Sequence, residues 1–186
     1  MAEMTLEQRI QRVEDRTAIT DLVVLYGFIM DERDADGIRK IFRDDATLRS
    51  EDGVFAANGL EEIVTTYQGR FDALGPTNHF THGHVVRFDD ADPDVATGLL
   101  ASHAEVVRDG ITMVVALRYK DRYRRTEGGW KFADRCMSYM YYVPVTEYAE
   151  ALGDDLRVRA YHDRRPADWP DKLMGKPIDW LKEFVG

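Results

Sequence analysis

The second half of the chain contains four β-rich segments, "THGHVVRF", "VATGLLASHAEVV", "ITMVVALRYKDRYRR" and "WKFADRCMSYMYYV". The links between them, "DDADPD", "RDG" and "TEGG", are short and rich in turn formers. Links of that length join strands only in the antiparallel sense, because a parallel crossover needs a dozen or more residues. Long strands in succession therefore predict a strongly bent antiparallel meander. The first half is helical in pattern, and helices followed by a meander define an α+β plan.

From "TLEQRI" to "FIMDERD", Leu6, Ile10 and Val13 recur at helical spacing, and Thr5 with Glu7 and Gln8 reads as a capped start. This long helix is expected to break near Arg16. Its second half, "LVVLYGFIM" (Leu22 to Met30), is apolar all round, which predicts burial on nearly every side. Asp31 stands directly at its end. "ADGIRKIF" reads as a short helix, "ATLRS" and "GVFAANG" as a hairpin turning at "EDG", and "GLEEIVTTYQGRFDAL" as a third helix ending before "GPTN". Residues 146–186 are charged and Pro-rich, with too few apolar residues for a core of their own. They are read as a docking arm or pocket cover appended to a domain of residues 1–145.

A length of 186 residues suits one domain. The net charge of −9, with Lys and Arg scattered among acids, argues against a nucleic-acid partner. The N-terminus "MAEMTLEQRIQRVEDR" lacks the apolar core of a signal peptide, and no apolar run approaches the roughly 20 residues of a membrane span. A cytoplasmic protein without membrane partners is expected. The single cysteine, Cys136, excludes an internal disulfide, and its apolar strand predicts a buried, inert thiol.

Three of the five histidines, His79, His82 and His84, crowd into "TNHFTHGHVVRF". Regular strand alternation would turn His79 away from His82 and His84 unless a bulge at Gly83 intervened. No HExxH motif supports zinc, and no metal is expected. The loop "DERDADG" fails as a calcium site, because placing Gly37 at the required glycine puts Arg43 where the bidentate Glu belongs. Neither GxSxG, Walker A nor GxGxxG is present, so no cofactor is expected. What remains is Asp31 at the end of an apolar helix and His79 on the first long strand. Desolvation should raise the Asp31 pKa and a neighbouring His should oppose that rise. Such a pair can serve as general base and acid, while the bland alternative is a capped turn carboxylate and a satisfied strand histidine.

The segments "MTLEQRIQRVED", "DLVVLYGFIMDERD", "IFRDDATL", "NHFTHGHVVRFD", "ATG" and "GGWKFADRCMSYMYY" together resemble the SnoaL-like branch of the nuclear transport factor 2-like superfamily, over roughly residues 4–145. The resemblance implies a cone: a curved, antiparallel (mixed) sheet wrapped around the long helix and two shorter ones, with an internal pocket. In the dehydratase and dehydrochlorinase members, an Asp ending the long helix and a His on the first long strand form the catalytic pair, and Asp31 and His79 are similar in position. Tyr26 stands where a bile-acid dehydratase member places a functional Tyr. The implied activity is a cofactor-independent lyase that eliminates water from a hydrophobic, cyclic hydroxylated substrate such as a steroid, polyketide or aromatic.

Isomerase, retro-aldol or dehydrohalogenase chemistry on the same pair, or a non-catalytic binding or assembly module, are the alternatives. Phe28, Leu48, Leu74, Tyr119 and Met140 are the expected pocket walls. His82 and His84 are assigned to the outer face or a subunit interface, and His103 to a structural role. Leu48 and Ser50 stand where several relatives carry an aromatic residue, and Leu100 replaces a second histidine. Arg135 matches a family arginine whose direction alternation leaves open. Relatives are commonly dimers or trimers, so a homo-oligomer, trimer before dimer, is expected, with the tail packing on a neighbour or over the pocket mouth.

Overall fold

Thr5 caps the first helix in a reciprocal box: its hydroxyl accepts from the Gln8 amide at 3.2 Å, and the Gln8 side chain accepts from the Thr5 amide at 2.9 Å. The computed structural model describes residues 4–185, so residues 1–3 and 186 of the two expected segments lie outside the described residues. Helix α1 (Leu6–Asp31) runs unbroken. The expected break near Arg16 does not occur: no Pro or Gly interrupts the ladder there, and the Thr17 and Thr20 hydroxyls bond to the Val13 and Arg16 carbonyls without interrupting it. Arg16 instead reaches across and donates to the Val86 carbonyl at 3.0 Å.

Burial on every side is also corrected. Leu22, Val23, Tyr26, Gly27 and Met30 are buried, whereas Val24, Leu25 and Phe28 are exposed, Phe28 by 64%. The helix packs on β3, β6 and the following helix with one face, and among the described residues Val24, Leu25 and Phe28 on the other stay exposed. Phe28 is thus excluded from the pocket wall.

Helix α2 (Ala35–Ile41), capped by Asp34, leads into β1 (Phe42–Ser50) and β2 (Ala56–Asn58), and α3 (Leu60–Ala73) follows. The meander is β3 (Leu74–Phe88), β4 (Val95–Arg108), β5 (Ile111–Thr126) and β6 (Gly129–Pro144). The sheet order is β2-β1-β6-β5-β4-β3, with β1 parallel to β6 and every other pair antiparallel. The three helices and the inner sheet face enclose the main core, in which Phe42, Phe132, Ile38 and Ile63 are fully buried.

Leu48 lies within this core with no exposed surface, so it packs the interior instead of bordering a pocket. Met140 is corrected as well. The β5–β6 register shifts between Ala116↔Tyr141 and Leu117↔Tyr139, leaving Met140 as the extra residue of a bulge, packed against Ala116, Tyr141, Val143 and Ala151 in a second cluster.

β1 pairs with β6 only as far as Met137, which leaves the end of β6 with an unpaired edge. The tail fills it: the Tyr142 amide donates to the Arg157 carbonyl at 2.9 Å, the Arg159 amide to Tyr142 at 3.0 Å, and the Asp168 amide to Tyr139 at 2.9 Å. Farther on, the Trp169 ring lies 4.0 Å from the Arg118 guanidinium and the Trp180 ring 4.5 Å from the Lys120 ammonium. The tail, expected on a neighbour or over the pocket mouth, lies along its own sheet. No helix among the described residues is long and apolar enough to cross a membrane.

Asp15 ties α1 to the β5–β6 hairpin. Its buried carboxylate accepts from Arg125 Nη2 at 2.5 Å, Trp130 Nε1 at 3.1 Å and Gln11 Nε2 at 3.1 Å. Burial pushes its pKa up, but the bonds from Arg125, Trp130 and Gln11 outweigh burial and hold it below the ordinary carboxylate value. A depressed folded value contributes stability above the unfolded pKa of about 3.9, and that contribution is lost as pH falls through the folded value. Asp15→Ala is expected to lower the unfolding free energy by about 2–4 kcal/mol at pH 7 in urea titration, because it strands the buried Trp130 N–H and unpairs Arg125. The deficit should shrink on acidification below pH ~4.

Candidate active site

α1 approaches β3 most closely at Gly27, where a side-chain Cβ would stand 3.3 Å from His79 Cβ. Glycine at this crossing lets the end of the helix drop onto the strand. Four residues on, Asp31 Oδ1 meets His79 Nδ1 at 2.6 Å and accepts from the Thr77 hydroxyl at 2.7 Å, while Oδ2 accepts from the His79 amide at 2.8 Å. Both side chains are mostly buried, Asp31 with 18% and His79 with 16% of its surface exposed. Burial raises the Asp31 pKa, yet the bonds from the His79 ring, the His79 backbone and Thr77 overcome it, so the carboxyl sits below its ordinary value. An ionised Asp31 accepts from Nδ1–H, and in the neutral ring that arrangement puts the lone pair on Nε2. His79 borders an internal cavity, and Nε2 makes no hydrogen bond within the described residues.

The cavity encloses about 90 Å³. Of the expected walls, Leu74 and Tyr119 border it, as does Tyr26; Phe28, Leu48 and Met140 do not. Tyr67, Arg70, Met137 and Tyr139 also border it, as does Arg33, and were not anticipated. Tyr67 was within reach of the sequence, since it continues the inner face of α3 after Ile63 and Val64. Arg70 carried no signal, because an arginine on an amphipathic helix ordinarily reads as solvated. The Tyr26 and Tyr67 hydroxyls are 2.8 Å apart. Burial pushes the Tyr67 phenol well above its ordinary value, so Tyr67 keeps its proton.

Arg135 points inward and is fully buried. Its Nε and Nη2 donate to Asp121 Oδ1 and Oδ2, each at 3.1 Å, and its guanidinium carbon lies 3.9 Å from the Tyr26 ring centre and 4.0 Å from that of Tyr119. Burial disfavours its charge, but the Asp121 carboxylate more than compensates and Arg135 stays a cation. The Tyr123 hydroxyl donates to Asp121 Oδ2 at 2.9 Å and lies 3.1 Å from His84 Nε2. Gly98 makes room for this contact, since a Cβ there would stand 2.6 Å from the Tyr123 oxygen and 2.9 Å from His84 Nε2.

The outer-face assignment of His84 is therefore overturned. The β3–β4 register shifts between Thr81↔Ser102 and His84↔Leu100, so His82 and Gly83 together oppose Ala101 alone. That bulge resets the alternation. His79 and His84 share the inner face, and His82 turns outward to meet His103 Nδ1 at 2.9 Å. Burial first, then the charges of Arg135 and Arg16, push the His84 pKa down to about 4, so its ring is neutral near pH 7. His103 Nε2 continues the outer chain to the Tyr141 hydroxyl at 3.1 Å. Cys136 is a free thiol that burial pushes up to about 12. Among the described residues no group of three or more His, Cys, Asp or Glu is placed to hold a metal ion.

The model of the SnoaL-like domain matches residues 11–136. Hexachlorocyclohexane dehydrochlorinase LinA-type3 from Novosphingobium barchaimii superposes with a TM-score of 0.65 at 21% identity, over 74% of this chain and 94% of that one. A protein from Novosphingobium aromaticivorans provisionally named an aromatic ring hydroxylase gives 0.66 at 26% identity, over 74% and 97% of the two chains. Another from the same organism, provisionally named a scytalone dehydratase, gives 0.66 at 16% identity, over 75% and 91%. The dehydrochlorinase and dehydratase likenesses establish a shared fold. No curated protein matches the sequence.

The depressed Asp31 value has the same consequence for stability as that of Asp15: its contribution is present above the unfolded pKa and is lost as pH falls through the folded one. Asp31→Asn should cost about 1 kcal/mol at pH 7, measured by urea unfolding, and the cost should fade as pH drops below about 4. A deficit constant from pH 7 to 3 would show that the bonds from β3 do not favour the charged carboxylate.

Proposed function

The chain belongs to the SnoaL-like domain family, and from that premise we propose that it is a cofactor-independent lyase of the dehydratase type. The observation that carries this reading is the 2.6 Å contact between Asp31 and His79, which leaves Nε2 as a free lone pair on the wall of an apolar cavity. In the proposed reaction, Nε2 takes a proton from a carbon next to the one bearing the hydroxyl. Asp31 stabilises the imidazolium so formed. The C–H electron pair becomes the new double bond and the C–O bond breaks, with its electron pair leaving on oxygen.

The departing hydroxide needs a proton, and Tyr26 is the proposed donor. The Tyr26 and Tyr67 hydroxyls are in contact and either can donate; in the proposed reaction Tyr67, which retains its proton, is the donor, and the Tyr26 O–H is left for the substrate. The Arg135 guanidinium under the Tyr26 ring offsets negative charge left on the phenol oxygen. Water and an alkene are the products, and the proton on His79 returns to Tyr26 through solvent. A halide leaving group would need no such donor, so Tyr26 favours loss of hydroxyl over dehydrohalogenation. The cavity is smaller than the apolar void of about 150 Å³ that holds benzene, which favours a small, flat, hydrophobic substrate over a fused-ring one.

Asp31→Asn and His79→Ala are expected to reduce turnover of a β-hydroxy substrate by about 10²- to 10⁴-fold each while leaving folded structure by circular dichroism intact. Tyr26→Phe should lower kcat for hydroxyl elimination and spare a substrate analogue with a halide in its place. Appearance of the conjugated alkene in ultraviolet absorbance reads all three. Wild-type rates in the Asp31 and His79 variants would reject the mechanism.

A further inference from the structure

Arg70 lies in the last turn of α3, where an arginine ordinarily serves the open carbonyls of the helix end. Here another residue has taken that role. Arg33 donates from Nη1 to the Phe71 carbonyl at 2.7 Å and from Nη2 to Leu74 at 2.7 Å and Gly75 at 2.9 Å. The Arg70 guanidinium is left to cross the interior side of the helix, 4.3 Å from the Phe55 ring centre and 5.7 Å from that of Tyr67. Its one hydrogen bond within the described residues runs from Nη1 to the Met137 thioether at 3.6 Å, a weak acceptor. A guanidinium has five N–H donors, so most of those on Arg70 are unspent on protein.

The surroundings sharpen the point. Arg70 and His79 border the same cavity, and no carboxylate borders it. Asp31 is committed to His79 and Thr77 behind the wall. The chain carries a net charge of −9, yet among the described residues no carboxylate forms an ion pair with this cation. A cationic fork among aromatic rings, in a small cavity without a counterion, is suited to bind an anionic planar group two-pronged.

We propose that Arg70 recognises a carboxylate, and that the substrate is a small 3-hydroxy carboxylic acid. This rests on the lyase reading for its chemistry, while the binding claim stands apart from it. The carboxylate on Arg70 presents its α-carbon to His79 Nε2. When the α C–H bond breaks and its proton moves to Nε2, negative charge spreads onto the carboxylate oxygens, where the guanidinium neutralises it. The β C–O bond then breaks, the hydroxyl leaves as water with the proton from Tyr26, and a 2-enoate forms.

The test uses the full chain and two probes of matched shape, crotonate and crotonamide, titrated by NMR. Wild type should bind crotonate about tenfold or more tighter, as a charge-assisted pair in a sheltered site would give. Arg70→Gln should erase the preference while leaving crotonamide binding and the melting temperature unchanged, and Arg70→Lys should keep only part of it. His79→Ala should retain the preference, so failure of the lyase mechanism leaves this result readable. Equal binding of the two probes by wild type, no saturable crotonate binding, or an undiminished preference in Arg70→Gln overturns the proposal. If Arg70→Gln does not fold, Arg70→Lys decides, and an unaltered preference there counts against the two-pronged contact.

Discussion

One carboxylate holds the working end of this molecule together. Asp31 closes α1 and takes hydrogen bonds from the ring and the amide of His79 and from the hydroxyl of Thr77, all on β3. Each bond locks helix to sheet, and each also favours the ionised acid against the cost of burial. The tautomer of His79 follows from that ionisation: a carboxylate accepts at Nδ1, so the lone pair of Nε2 is the one left for the cavity. The approach depends in turn on Gly27, since any side chain there presses on His79. Fold and chemistry share these atoms.

Deeper in the cone a second polar system sustains the first. Arg135 is a buried cation with one carboxylate partner, Asp121, and its flat faces lie against aromatic rings instead of further acceptors. A buried pair of this kind gains little net stability over a well-packed apolar replacement, so its retention points to what the charge does for its neighbours. It lies against Tyr26 and Tyr119, both of which border the cavity, and it helps keep His84 neutral.

Much of this plan was legible in the sequence. Hairpin-length links between long strands pointed to an antiparallel meander, and the capped start at Thr5 and the order of helices followed from local chemistry. Asp31 and His79 stood out as a carboxylate and an imidazole at the edges of apolar runs. Phe28 did not declare itself, because an apolar run cannot say which of its faces lacks a covering layer. Met140 and His84 were misplaced for a shared reason: each lies at or just past a bulge, where one added residue reverses the facing of everything downstream. Leu48 was read as a wall from its place on the first hairpin strand, where several relatives carry an aromatic residue, and that likeness does not separate filled core from open cavity. Arg70 was invisible because its meaning depends on Arg33, distant in sequence, having already taken the carbonyls at the end of α3.

The account stands most directly on the proton of the His79 ring. Long-range ¹H–¹⁵N correlation spectra, with His79 assigned by its loss in His79→Gln, report which ring nitrogen is protonated in the neutral form. Protonated Nδ1 and bare Nε2, a pattern that weakens in Asp31→Asn, are what the geometry predicts. Protonated Nε2, or a spectrum indifferent to Asp31, would contradict it.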